Sequence, residues 1–263
     1  MPTFDTPGPV AAHIEVVAGT VSVRADDRHD TVVTVPPRNE RSAADIAAAE
    51  QTSVTFTAGE LLVRSTGRRG LLFFGSGPEI EVDVVLPAGS SLAVRTTAGE
   101  ITCTGRLGAV DLEGKHGDLR LDHAGSLRAR TSSGNISGTS VDGETDASTS
   151  YGNVRLGETA GPARLGTGYG DVTVDRALAS LTGSTMYGQV RVGQAVRGSL
   201  VLETAYGEVE AGVREGTAAW LDVSSGAGRI RNLLTEAAGP EGAAETVEIH
   251  ARTAYGDILI RRA

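Results

Sequence analysis

Apolar residues along this chain return on a beat of about eighteen residues, far longer than the periods of a single helix or strand. Gly99, Gly117, Gly134, Gly152, Gly170, Gly188 and Gly207 follow one another at steps of 18, 17, 18, 18, 18 and 19, and Gly228 and Gly256 extend the series at 21 and 28. Two residues after these glycines stand Ile101, Leu119, Ile136, Val154, Val172, Val190, Val209, Ile230 and Ile258, an unbroken aliphatic column. Seven and five residues before them lie two further columns that are apolar or small, such as Leu181 and Leu200 in the first and Leu165 and Leu202 in the second. Positions −7, −5, −3 and −1 share one face of a strand, whereas +2 and +4 have the opposite parity, so the chain changes facing in a corner or bulge at the glycine.

A second glycine column, Gly125, Gly143, Gly161, Gly198 and Gly216 with Ala179 in the gap, divides each repeat into two short strands joined by two turns. A unit this short cannot bury its own apolar face, so successive coils must stack in parallel and pair backbone to backbone. The expected fold is all-β: a parallel β-solenoid, or open stacked-hairpin rack, with rungs of about 18 residues. A hexapeptide-type left-handed helix is excluded, because stepping six residues from the −7 column lands on tyrosines instead of aliphatic side chains.

The beat loosens toward the amino terminus. VAGTVSV at 17–23 and TAGELLV at 57–63 read as degenerate first rungs, and EIEVDVVLP at 79–87 reads as a half-buried strand stopped by proline. Between them the Ala-rich stretch 38–51 predicts a short helix or ordered loop with Ser42 as N-cap, placed to cover the first edge of the stack. Residues 233–246 read as an inserted loop that accounts for the 28-residue step. The predicted organisation is an irregular cap with degenerate rungs over 1–90 and a regular solenoid over 91–263, in one continuous domain.

Composition narrows the classes. Gly is 35 of 263 residues and aromatics are only 4%, which excludes a helical bundle and leaves a core of small aliphatic side chains. The net charge of −9 argues against a polyanion, so no nucleic acid is expected as a partner. Cys103 alone can form no internal disulfide, and no Cys/His grouping has zinc-ligand spacing, so neither metal nor cofactor is expected. The amino terminus lacks a basic and apolar leader and no run of about 18 apolar residues follows, so the expectation is a cytoplasmic chain without a membrane span.

The lead-in VVLPAGSSL, the early VAGTVSV and TTAGEI units and the ladder STSYGNV, GTGYGDV, STMYGQV, ETAYGEV, RTAYGDI together resemble the bacterial putative-adhesin, or toast-rack, family of β-strand-repeat proteins over almost the whole chain. That resemblance implies a non-enzymatic β-repeat domain of a kind often attached to membrane or envelope-stress modules.

Several columns are candidates for function. All five tyrosines, Tyr151, Tyr169, Tyr187, Tyr206 and Tyr255, occupy position −1 and should stack as a ladder broken at Ala227. Pointing outward they would make an aromatic strip for a sugar or peptide; parity with the apolar columns favours inward packing beside the glycine. Thr or Ser fills position −3 in nearly every repeat and should hydrogen-bond along the stack or to turn backbone. The polar column at +1, with Glu100, Asp118, Asn135, Asn153, Asp171, Gln189, Glu208, Arg229 and Asp257, should satisfy turn N–H groups. Arg68, Arg69, Leu72, Phe73 and Phe74, within RRGLLFF, form the densest apolar cluster with adjacent basic charge and offer a partner contact or a solenoid cap. Trp220 precedes the core position Leu221 and alternates away from it, as an exposed anchor would.

Five scattered histidines, with His116 standing in the tyrosine column, and the absence of nucleophile-elbow, P-loop or zincin motifs point away from catalysis. The reading is therefore a non-enzymatic scaffold or binding module presenting a flat β face to an unknown protein or envelope-associated partner. Two alternatives are a bactofilin-like structural protein associating end to end through bare terminal rungs, and a carbohydrate-active β-helix enzyme using Glu100, Asp118 and Asp171.

Overall fold

A computed structural model of the chain describes residues 2–65, 78–235 and 243–263. Arg68, Arg69, Leu72, Phe73 and Phe74 lie outside the described residues, as does the middle of the 233–246 insertion. The fold is all-β, a parallel β-solenoid, and the chain divides into two compact units, 1–132 and 133–263.

The first unit contains β1 (Thr3–Asp5), β2 (Ala11–Asp26), β3 (Asp30–Thr34), α1 (Ala43–Glu50), β4 (Ser53–Thr57), β5 (Glu60–Arg64), β6 (Ile80–Pro87), β7 (Ser91–Ala98), β8 (Ile101–His116) and β9 (Leu119–Ser133). Its first rung is β2, bent at Gly19. The leg starting at Ala11 pairs in parallel with β5 on one side and β7 on the other, and the leg starting at Gly19 pairs with β6 and β8. The β5/β6 rung, although later in sequence, is thus outermost, and β2 lies one rung in.

Ser42 caps α1 as its sequence suggests, its Oγ accepting from the Asp45 N–H at 3.3 Å. The helix does not shield the outer edge, however. That edge is covered by antiparallel strands, β4 on β5 and β3 on β6, with β1 added to β3 and Phe4 stacked on Phe56 at 5.2 Å. The physical reason is hydrogen bonding: an open edge is a row of unpaired N–H and C=O groups that strands can pair along their length. The helix reaches β6 mainly through the Asp45 carboxylate, which accepts from the Glu79 N–H at 3.2 Å.

The second unit contains β10 (Ile136–Val141), β11 (Thr145–Tyr151), β12 (Val154–Thr159), β13 (Ala163–Tyr169), β14 (Val172–Ala177), β15 (Leu181–Tyr187), β16 (Val190–Ala195), β17 (Gly198–Tyr206), β18 (Val209–Val213), β19 (Thr217–Ala227), β20 (Ile230–Asn232), β21 (Glu245–Tyr255) and β22 (Ile258–Arg262). The legs before the glycines, β11, β13, β15 and β17, pair in parallel and in register, so that Tyr151, Tyr169, Tyr187 and Tyr206 align. The legs after them, β10, β12, β14, β16 and β18, form a second parallel ladder.

The apolar columns form the core between these legs. Ile136, Val154, Val172, Val190, Val209 and Ile258 at +2 are buried, as are Leu181, Leu200 and Ile249 at −7. Each such aliphatic side chain contributes roughly 1.5–3 kcal/mol on burial. The facing is direct: a methyl added at Gly183, at −5, would lie 3.1 Å from Cγ1 of Val190 on the opposite leg.

Rung order departs from sequence order at the end of the chain. β21 and β22 pair with β17 and β18 on one side and with β19 and β20 on the other, so the last rung is inserted beneath the one before it. Ala227 therefore does not interrupt the tyrosine column. Tyr255 aligns directly with Tyr206, and Ala227 follows at the edge.

Candidate functional site

At the second unit's corners Gly152, Gly170, Gly188, Gly207 and Gly256 have positive φ, from 141° to 155°. This is a conformation that only glycine adopts cheaply. The corner is tied on three counts. The glycine N–H donates to the −1 carbonyl of the next rung, as in Gly170 to Tyr187 at 2.9 Å. The glycine carbonyl accepts from the −3 hydroxyl of the next rung: Thr149 to Gly134 at 3.0 Å, Thr167 to Gly152 at 2.8 Å, Thr185 to Gly170 at 2.9 Å, Thr204 to Gly188 and Thr253 to Gly207 at 3.0 Å. The +1 side chains then take the next N–H, with Asn135 accepting from Asn153, Asn153 from Asp171 and Asp171 from Gln189 at 2.7–2.9 Å. The −3 and +1 columns thus carry the backbone satisfaction that their polar chemistry predicts.

Asp257 accepts from the Arg229 N–H at 2.8 Å. That backbone donor first, and then the Arg229 and Arg231 guanidinium charges, hold its carboxyl below the ordinary value of 3.8.

The tyrosines do not pack inward. Tyr151, Tyr169, Tyr187, Tyr206 and Tyr255 are 41–59% exposed. Strand parity fails here because the chain bends away from the core between the buried −3 threonine and the buried +2 aliphatic residue, which leaves −1, 0 and +1 outside on the corner. The rings stack at centroid distances of 5.1, 4.9, 5.0 and 5.1 Å with interplanar angles of 1–7°. Four steps of about 5 Å make a strip about 20 Å long. Each inner ring has a neighbour on both faces, so solvent meets slanted faces, ring edges and a row of hydroxyls. Such a strip suits a broad flat partner better than a single inserted ring.

Trp220 is 58% exposed on β19. The outermost rung, β19/β20, that carries it is uncovered: Ile230 is 44% exposed, although the same column is buried at Val209 and Ile258, and among the described residues β19 pairs only with β21. His116 lies exposed on β8.

Of the three carboxylates considered for an enzyme, two are brought together, and both are paired with one guanidinium. Glu100 and Asp118 both engage Arg120, Asp118 at 2.8 Å, while Asp171 serves the Gln189 turn. Among the described residues there is no group of three or more metal-ligating side chains, and no helix is long and apolar enough to cross a membrane. Burial, and then the neighbouring Asp122 charge, push the Cys103 thiol up to about 12, so it is no nucleophile.

Fold and corner define a parallel β-strand-repeat protein with an exposed aromatic ladder. No family model matches the chain, and no curated protein matches it. Solved structures to which it is similar include a putative adhesin from Bacteroides fragilis, at 12% identity and TM-score 0.47 over 98% of this chain and 96% of that one. Another is a putative adhesin from Parabacteroides distasonis, at 12% identity and TM-score 0.47 over 98% and 95%. A third, a putative lipid binding protein from Parabacteroides distasonis, has 14% identity and TM-score 0.41 over 100% and 95%. The family name that the sequence motifs suggest recurs among these structures.

Proposed function

We propose that the chain is a non-enzymatic β-repeat binding module that presents its tyrosine strip to a protein or envelope-associated partner. The observation that carries this reading is the exposure of five aligned tyrosines, which the core does not need for filling. Tyrosine offers large contact area with few rotatable bonds, and here the ladder holds the rings before any partner arrives, so little conformational entropy is lost on binding. The test is capture from an envelope fraction with the full chain, the Tyr169→Ala/Tyr187→Ala pair and the Tyr169→Phe/Tyr187→Phe pair. A stoichiometric partner retained by wild type and the Phe pair but lost from the Ala pair is expected. Equal capture by the Ala pair would refute the strip as the contact.

The uncovered outermost rung favours a second reading, end-to-end self-association. The outer edge of the first unit ends on antiparallel β1 and β4 and so differs from the parallel β19/β20 edge, and pairing of two β19/β20 edges would give a closed dimer. Sedimentation across a concentration series, with Ile230→Lys as the edge-blocking variant, tests it. A dimer abolished by the variant is expected, and a monomer at every concentration would refute it.

A further inference from the structure

The outward face of the legs β11, β13, β15 and β17 mixes small, polar and charged residues, Asp146, Arg164 and Met186 among them, but places no aromatic or imidazole ring there before the corner. On β19 Trp220, Asp222 and Ser224 stand in register with Glu248, His250 and Arg252 on β21. At the corresponding places of the preceding rungs the residues are Ser199, Val201 and Glu203 on β17, and Ser180, Thr182 and Ser184 around β15. No pairing requirement of the scaffold calls for an indole and an imidazole at this spot alone.

The group is organised by its own contacts. His250 Nδ1 lies 3.3 Å from Asp222 Oδ2 and its Nε2 lies 4.0 Å from Glu248 Oε2. The imidazole packs edge-on to the Trp220 indole at 5.4 Å and 60°. Arg252 donates to Asp222 Oδ2 at 3.4 Å. His250 therefore braces the indole on its inner side, while β19 has no further strand on its outer side among the described residues.

We infer that this patch is a binding site for a neutral pyranose chain, separate from the tyrosine strip. A pyranose ring has an apolar C–H face, which an exposed indole accepts, and a rim of hydroxyls that are each donor and acceptor. Asp222 and Glu248 supply acceptors, Arg252 supplies donors, and His250 supplies either. The mixture disfavours anionic ligands. An anion would face two carboxylates, and a cation over the indole would compete with Arg252 for Asp222. The face is open and flat, which suits side-on contact with an extended chain rather than enclosure of a monosaccharide. The three inner tyrosines do not duplicate it, because both faces of each ring are taken by its neighbours.

Trp220 is the sole tryptophan of the chain, so its emission reports on this site alone. The full chain is titrated with cellohexaose, xylohexaose, mannohexaose and N-acetylglucosamine hexamer, and separately with tetramethylammonium chloride. At least one hexasaccharide is expected to change the emission saturably with a Kd below about 1 mM. Asp222→Ala and Glu248→Ala, which keep the reporter, should each weaken that binding by about tenfold, while Tyr169→Ala leaves it unchanged. Calorimetry with Trp220→Ala should show no binding, and melting within about 2 °C of wild type confirms that each variant is folded. No response to any of the hexasaccharides, undiminished affinity in both carboxylate variants, or a response to tetramethylammonium alone would overturn the assignment.

Discussion

Replacing Gly170 by alanine should destabilise the second unit far more than a methyl group added in the middle of a leg. At φ of 141° an L residue is strained, at a cost of order 1–3 kcal/mol. The new Cβ would also overlap the Gly152 carbonyl oxygen, lie 2.7 Å from the Gly152 carbonyl carbon and lie 2.9 Å from Asn153 Oδ1. Relief requires the corner to move, but it is held on both sides. Gly170 donates to Tyr187 O at 2.9 Å and Asp171 donates to Asn153 Oδ1 at 2.8 Å, and loosening each bond costs about 1 kcal/mol. The expected loss is about 3–5 kcal/mol, which for a domain of this size lowers the midpoint by roughly 10–15 °C. The control is Gly166→Ala on β13, where the added methyl would meet only Ser184 Oγ at 3.6 Å and Ser184 O at 3.9 Å and no positive φ is involved. Thermal unfolding followed by circular dichroism compares the two. In a stack whose rungs touch only their neighbours, hydrogen exchange should also localise the loss to the rungs around Gly170. Equal midpoints for the two variants, or a Gly170→Ala midpoint within about 2 °C of wild type, would refute the close-approach argument.

Thr185→Val keeps the buried shape but removes the hydroxyl that serves the Gly170 carbonyl, so it should cost about 1–3 kcal/mol in denaturant unfolding, and Thr185→Ser should retain most of the bond. Asp257→Asn keeps an acceptor for the Arg229 N–H but loses the charge. Because the folded carboxyl lies below 3.8, its extra stabilisation is complete above that value and disappears as pH falls through the folded value. Wild type should therefore exceed the Asn variant in melting temperature at neutral pH and lose that advantage in acid; a gap independent of pH would contradict it. The Cys103 thiol, buried and raised to about 12, should resist a disulfide reagent in the native protein at mildly alkaline pH and react at once on unfolding.

The architecture was legible because its main requirements are local. A strand shows which residues face inward by alternation, and a corner shows itself by the glycine it needs, so the +2, −5 and −7 columns locate the core with no knowledge of the partner strand. The −3 threonines and the +1 polar residues are legible for a related reason: both serve corner backbone that every rung repeats. Position −1 was misread because alternation assumes a strand that stays flat, and the chain leaves the plane of the leg before it reaches the tyrosine. Strand order was not legible at all. Rungs with the same columns exchange places without breaking any alternation, so nothing in the residues of β19 or β21 records which of the two lies outermost. The cluster of Asp222, Trp220 and His250 was missed for the same reason, since its members are joined only by pairing across rungs. The departure from ring-free outward positions at Trp220 and His250 was the one signal available.

The exchanged order has a physical logic that both units share. A rung at the edge of the stack is held by pairing on one side only, whereas an inner rung is held on both. Setting β2 between β5/β6 and β7/β8 gives the first rung a partner on each side, and setting β21/β22 between β17/β18 and β19/β20 does the same for the last. The two edges are finished differently. The first receives antiparallel strands, whereas the last keeps Trp220 and Ile230 in contact with solvent. The same exchange brings Tyr255 onto Tyr206, which completes a ladder of five rings, and leaves the indole of Trp220 on an edge strand with His250 behind it. In sequential order Ala227 would have split the ladder and Trp220 would have had a strand on either side. The exchanged rung order is therefore what assembles both candidate binding surfaces.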